Sequence, residues 1–124
     1  MRTILVAARK GGVGKTTLAV HLAALADKPR APALLIDCDP QGSAEFWYGR
    51  REARSPLLIK ASAGEVAGIL EDARKSGIAT VIIDSAPHDT GGSSNLMSIV
   101  DLTMIVTRAG VLDLASVAAT GAAA

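Results

Sequence analysis

Aromatic side chains are scarce. They make up 2% of the 124 residues and stand together as Phe46, Trp47 and Tyr48. The core must therefore be built from Ala, Val, Ile and Leu. Cysteine is limited to Cys38, which excludes an internal disulfide and any cysteine-cluster metal site and fits a reducing compartment. No apolar run approaches the ~20 residues that a membrane helix needs. The run from Ile4 to Ala8 is too short for a secretory signal, and glycines and lysines follow it at once. A cytoplasmic protein with no membrane partner is expected. Net charge is also small, 13 basic against 12 acidic residues, so bulk electrostatics offer no argument for nucleic acid.

What is present is an ordinary globular balance. Hydrophobic residues make up 49% and charged residues 20%, which argues against disorder. The length fits one domain over residues 1–124. Short apolar runs alternate with amphipathic stretches, the βαβ pattern of a mostly parallel sheet with helices on both faces. Strands are expected at 3–8, 33–37, 57–61, 79–84 and 102–107. Helices are expected at 15–26, with Leu18, Leu22 and Leu25 spaced as one face, and at 63–76. The second helix shows Val66, Ile69, Leu70 and Ala73 on one side and Gly77 as its stop. Short helices are expected around the aromatics, over 95–100, and from Asp113. The segment 85–94 reads as a loop.

The decisive segment is Lys10-Gly11-Gly12-Val13-Gly14-Lys15-Thr16-Thr17. It falls between a predicted strand and a predicted helix, where a phosphate cradle belongs. Glycines let backbone N–H groups turn toward phosphate oxygens, and the helix N-terminus adds its positive end. Gly11, Gly12, Val13, Gly14, Lys15, Thr16 and Thr17 are the candidate nucleotide-binding residues. Lys15 supplies a charge for the β- and γ-phosphates, and the Thr16 hydroxyl is placed to ligate Mg²⁺. Arg9 stands where the general pattern has its first glycine, and Lys10 is an additional lysine.

With those residues the stretch Arg9 to Thr17 resembles the ParA/MinD family of deviant Walker-A P-loop ATPases. Two further matches follow in order. Leu34 to Ser43 is similar to the family's D-x-D-P-Q strand end, and Val81 to Pro87 to its D-[ST]-x-P strand. A weaker match covers Asp101 to Thr107 with Leu112-Asp113-Leu114. The D-P-Q form resembles plasmid and chromosome partition ATPases of the short ParA type, without an N-terminal DNA-binding extension.

The resemblance implies roles. Asp84 closes the fourth strand and would hold Mg²⁺, with Asp37 supporting the metal or its waters. Asp39 would orient the attacking water, which suits a reaction that needs positioning more than covalent chemistry. Lys10 would reach a partner subunit's nucleotide, so that ATP joins an ATP-dependent homodimer and hydrolysis releases it. Catalytic candidates are thus Lys10, Lys15 and Asp39; metal candidates are Thr16, Asp37 and Asp84. A centromere-binding partner protein and non-specific DNA are the partners implied.

Other features read more plainly. Phe46, Trp47 and Tyr48 are expected to pack a short helix onto the sheet, with an interface anchor as the alternative. Arg50, Arg51 and Arg54 read as a solvated cluster. His21 and His88 lack ligand-spaced neighbours, and Cys38 between two acids is a poor nucleophile. The segment 85–94 stands open between a γ-phosphate-sensing switch and a plain loop. The chain also departs from the family. It is shorter, without the part that supplies a further strand, adenine contacts and a basic DNA surface. Thr107-Arg108-Ala109-Gly110 replaces a proline-rich stretch. The leading expectation is a ParA-type Mg-ATP-dependent ATPase in partition. A nucleotide-binding fragment without turnover and a metabolic P-loop ligase are its rivals.

Overall fold

A computed structural model describes residues 1–8, 14–51, 55–86 and 95–107. Among the described residues five strands form one sheet: β1 (Arg2–Ala7), β2 (Ala33–Asp37), β3 (Leu57–Lys60), β4 (Thr80–Asp84) and β5 (Leu102–Ile105). The spatial order is β3-β2-β4-β1-β5, and every pairing is parallel. Parallel neighbours need crossovers. Helix α1 (Lys15–Ala26) carries the chain from β1 to β2 over one face, and α3 (Val66–Lys75) from β3 to β4 over the other. Helix α2 (Ser43–Gly49) follows β2.

The alternation of side chains along the central strands splits the core in two. Leu5, Ala7, Leu34, Ile36, Val81 and Ile83 face α3, meeting Val66, Leu70 and Ala73. Val6, Leu35 and Ile82 face α1 and α2, meeting Ala19, Val20, Ala23 and Ala44. Being covered on both sides, β2 is buried at all positions, as its continuous apolar run requires.

Three expectations need adjustment. The leucine row of α1 is not its buried face: Ala19 and Ala23 are fully buried, whereas Leu25 is 74% exposed. Small alanines let the helix axis approach the sheet closely, and the leucines are left to flank that contact. The aromatic trio is split as well. Trp47 packs against the α1-side core, but Phe46 is 64% exposed, and Ala44 is the residue that seats α2. The stretch read as one helix from 63 opens with a 3₁₀ turn, Ala63–Glu65, fixed by a reciprocal Ser62–Glu65 capping box, before α3 begins. Gly77 ends α3 at φ +83°, the left-handed conformation that makes glycine the stop. Helix is found over 95–97 within the expected 95–100. Of the loop expected at 85–94, residues 87–94 lie outside the described residues, as does the helix expected from Asp113.

Candidate functional site

Parallel register brings the carboxyl ends of β1, β2 and β4 side by side, with Val6 opposite Asp84 and Asp84 opposite Asp37. Ligands of open α/β sheets bind in the crevice at this edge. Helix α1 starts there. Its N-cap is Gly14 at φ +93°, and among the described residues no side chain caps the first-turn donors of the helix.

From this start α1 projects two side chains onto β4. Lys15 Nζ donates to Asp84 Oδ1, and Thr16 Oγ1 donates to Asp84 Oδ2 at 2.8 Å. Lys15 Nζ also lies 3.7 Å from Asp39 Oδ2. Lys15 and Asp39 are 6% exposed and Asp84 is fully buried. Burial of an ammonium is tolerated because two carboxylates flank it. Four residues predicted for the site, Lys15, Thr16, Asp39 and Asp84, are therefore in one place. Lys10, Gly11, Gly12 and Val13 lie outside the described residues. Thr17 is exposed on the first turn of α1, where its carbonyl accepts from His21 Nδ1 at 2.7 Å.

Asp37 is brought beside this cluster, but its hydrogen bonds serve the loop after β2. Oδ1 accepts from Asp39 N at 3.0 Å, and Oδ2 from Glu45 N at 3.3 Å. Burial is the main cause that pushes its carboxyl above the ordinary 3.8; the two N–H donors oppose the shift, and the neighbouring Asp84 and Asp39 charges reinforce it. Asp39 Oδ1 accepts from Gln41 N at 2.9 Å, an Asx-type turn that fits an Asp-Pro sequence.

Oxygen donors of this kind suit Mg²⁺, which is bound by one or two carboxylates together with substrate phosphates and waters. Among the described residues, the carboxylates of Asp84 and Asp39 flank Lys15 Nζ, and the buried Asp37 lies on the strand beside Asp84. Thr16 and Asp84, already in contact, are the residues fitted to hold the cation.

Ser85 has a part in the site that its place in the D-[ST]-x-P match did not foretell. Ser85 is buried, and its hydroxyl and its amide both donate to Val6 O, at 2.9 and 3.2 Å. It ties the segment after Asp84 to the end of β1. Its only signal was the hydroxyl residue directly following the strand-ending acid.

A buried lysine and a half-buried threonine opening a helix after β1, with an acid closing the adjacent parallel strand, define a P-loop nucleotide-binding α/β domain. The model of the CobQ/CobB/MinD/ParA nucleotide binding domain matches residues 4–120, and the chain belongs to that family. It is 38% identical over 117 residues to the Maintenance of carboxysome distribution protein A of Gloeobacter kilaueensis, across 92% of this chain and 52% of that relative. It is 30% identical over 115 residues to Protein ParA of Rhizobium radiobacter, across 91% and 51%. The chain spans about half the length of these curated relatives. Among solved structures, apo McdA of Cyanthece superposes with a TM-score of 0.72 at 25% identity, covering 99% of this chain and 64% of that one. A ParA family ATPase of Chlorobium tepidum superposes at 0.70 with 18% identity, over 93% and 64%, a likeness of fold. Among the described residues no helix is long and apolar enough to cross a membrane.

Proposed function

We propose that the chain is the nucleotide-binding part of a ParA-type, Mg-ATP-dependent ATPase that works as a dimer switch in the partition of DNA or another cellular cargo. The meeting of Lys15 and Thr16 with Asp84 at the start of α1 carries this reading. The similarity to partition and carboxysome-distribution proteins supports the cargo role.

In this reading each residue has a task. Lys15 moves from its carboxylates to the β- and γ-phosphates, which offer it more charge. Thr16 and Asp84 hold the cation. Mg²⁺, when bound, neutralises charge on the phosphate oxygens. Asp39 sits across Lys15 from Asp84 and orients the attacking water; its turn fixes the carboxylate in advance of the reaction. Lys10 supplies a charge in trans to the partner subunit's nucleotide. A centromere-binding or other cargo-bound protein would stimulate turnover, and non-specific DNA would be the track.

Equilibrium binding of Mg-ATP to this chain, with Lys15→Ala as control, tests the reading. Saturable binding abolished by the substitution is expected. Absent binding by folded protein, or equal binding by the variant, overturns it. Turnover per chain that rises with protein concentration and is lost in Lys10→Ala, with binding retained, would speak for the dimer; turnover per chain independent of concentration would speak against it.

A further inference from the structure

We propose that Asp37 is a positioning residue for Asp39, fastening the segment 39–45 to the end of β2 through two backbone amides, and is not a support of the cation. The inference rests on the function proposed above. The resemblance assigns Asp37 to the metal, whereas the geometry assigns it to the chain that follows it.

A fully buried carboxylate must find donors. Among the described residues, those of Asp37 are the amides of Asp39 and Glu45. No hydrogen bond joins it to Lys15, Thr16 or Asp84 within that set, although Asp84 is its register neighbour. One oxygen thus holds the residue that carries the water-positioning carboxylate. The other holds the first turn of α2, six residues on. Between these points the segment is closed on itself. Gly42 N donates to Asp39 O at 3.0 Å, Phe46 N to Gly42 O at 2.9 Å, and Gln41 N to Asp39 Oδ1 at 2.9 Å. The main chain of Asp37 is held too: its carbonyl accepts from Ala61 N at 3.0 Å, and Cys38 N donates to Asp84 O at 2.9 Å. Asp37 is therefore a fixed point to which a folded turn is tied at both ends. Charge-assisted bonds to amides are the strong kind, and a displacement of about 1 Å at a positioned group lowers turnover on the order of hundredfold.

Two substitutions separate the roles. Asp37→Asn keeps one acceptor oxygen but presents an N–H₂ to one of the two amides. Glu45→Pro deletes the second amide donor and leaves the Asp37 carboxylate and its charge in place; the first turn of a helix tolerates proline. Glu45→Ala controls for the exposed Glu45–Lys60 ion pair at 3.2 Å.

The experiment combines amide hydrogen exchange, read by NMR on the folded chain, with Mg²⁺ titration of ATP binding and with turnover. In Asp37→Asn, exchange at Asp39 and Glu45 should accelerate about tenfold or more, as expected when a buried amide loses its acceptor. Glu45→Pro should accelerate exchange at Asp39, and Glu45→Ala should not. The Mg²⁺ midpoint should stay within about twofold, and kcat should fall with little change in KM. On an Asp39→Ala background neither substitution should lower kcat further, because a residue acting through another adds nothing once that residue is gone. A Mg²⁺ midpoint raised about tenfold or more in Asp37→Asn but not in Glu45→Pro would overturn the proposal in favour of metal support. Unchanged exchange at both amides would overturn it outright. If the unsubstituted chain fails to bind Mg-ATP, the proposed function fails by itself, and exchange alone decides whether Asp37 anchors the turn.

Discussion

Lys15 and Asp84 form a buried ion pair across the opening of α1, and Thr16 completes it by donating to the second carboxylate oxygen. The pair joins the helix that starts after Gly14 to the central strand of the sheet. It therefore has a structural consequence besides its part in nucleotide binding.

Removing one partner of such a pair leaves a buried charge without its counter-ion. Lys15→Met should destabilise the nucleotide-free protein by about 3 kcal/mol, the range found when buried pairs are broken from one side. The double variant Lys15→Met/Asp84→Asn should lose less than Lys15→Met alone, because the stranded carboxylate is gone. Urea unfolding of both single variants and the double variant gives the coupling energy. A double variant as unstable as the sum of the singles would show that the contact carries no coupling.

The far end of the sheet holds a second clamp. Asp101 Oδ2 accepts from Thr3 N at 2.9 Å and from Thr3 Oγ1 at 3.1 Å, and Thr3 Oγ1 accepts in turn from Asp101 N at 2.8 Å. The donors of Thr3, backbone first, hold the Asp101 carboxyl below its ordinary 3.8. A depressed carboxyl stabilises the fold above its unfolded value and loses that contribution as pH falls through the folded one. The stability difference between the native chain and Asp101→Asn should thus be constant above about pH 5 and shrink below about 3.8. Unfolding midpoints at pH 6, 4 and 3 check this, and a difference that does not change with pH would refute it.

Much of this architecture was legible in the chain, for identifiable reasons. Strand β2 reads without ambiguity because Ala33 to Ile36 is apolar throughout and bounded by Pro32 and the acids that begin at Asp37. Helix α1 begins at Lys15 because glycine precedes it, and α3 ends before Gly77 for the same reason. Lys15, Thr16 and Asp84 could be singled out because phosphate chemistry wants a lysine and a hydroxyl at a helix start and an acid at the end of a strand, whereas Asp39 was reached through the resemblance. Other features were hidden because they depend on contacts across the sheet. The chain of α1 is apolar nearly all round, so no stripe distinguishes Ala19 and Ala23 from the leucines. The amides held by Asp37 leave no trace in side-chain identity, and Ser85 shows only a hydroxyl after the strand-ending acid, not the carbonyl it holds. The exposure of Phe46 follows from the length of α2, whose seven residues seat Ala44 and Trp47 and turn Phe46 outward, where the Arg50 guanidinium covers its ring at 4.4 Å.

The reversed roles of alanine and leucine in α1 can be measured. Ala23→Leu inserts bulk where Leu35 and Ile82 already fill the space, and overpacking of this kind costs roughly 1–3 kcal/mol. Leu25→Lys changes an exposed position between residues of similar helix propensity and should stay within about 0.5 kcal/mol. Thermal unfolding of the two variants should show a marked fall for the first and almost none for the second. The opposite order would mean that the leucine row faces the sheet.

Cys38 reports on the electrostatics of the site. It is half-buried and lines a depression of about 480 Å³ with Asp37, Asp39, Lys60 and Ser62. Burial, then the charges of Asp37 and Asp84, push its thiol from 9.0 up to about 11, with Lys15 pulling the other way. Only the thiolate reacts with an alkylating agent. At pH 8 the thiolate fraction should therefore be about hundredfold below that of an ordinary cysteine, and alkylation should climb about tenfold per pH unit up to pH 10. The shape of the pH profile is the readout, because access to the depression scales the rate equally at every pH. Asp84→Asn removes one of the raising charges and should move the profile to lower pH, whereas Lys15→Met should move it higher. A profile that levels off by pH 9 in the native chain, or that shifts the same way in both variants, would show that the thiol does not sense this cluster of charges.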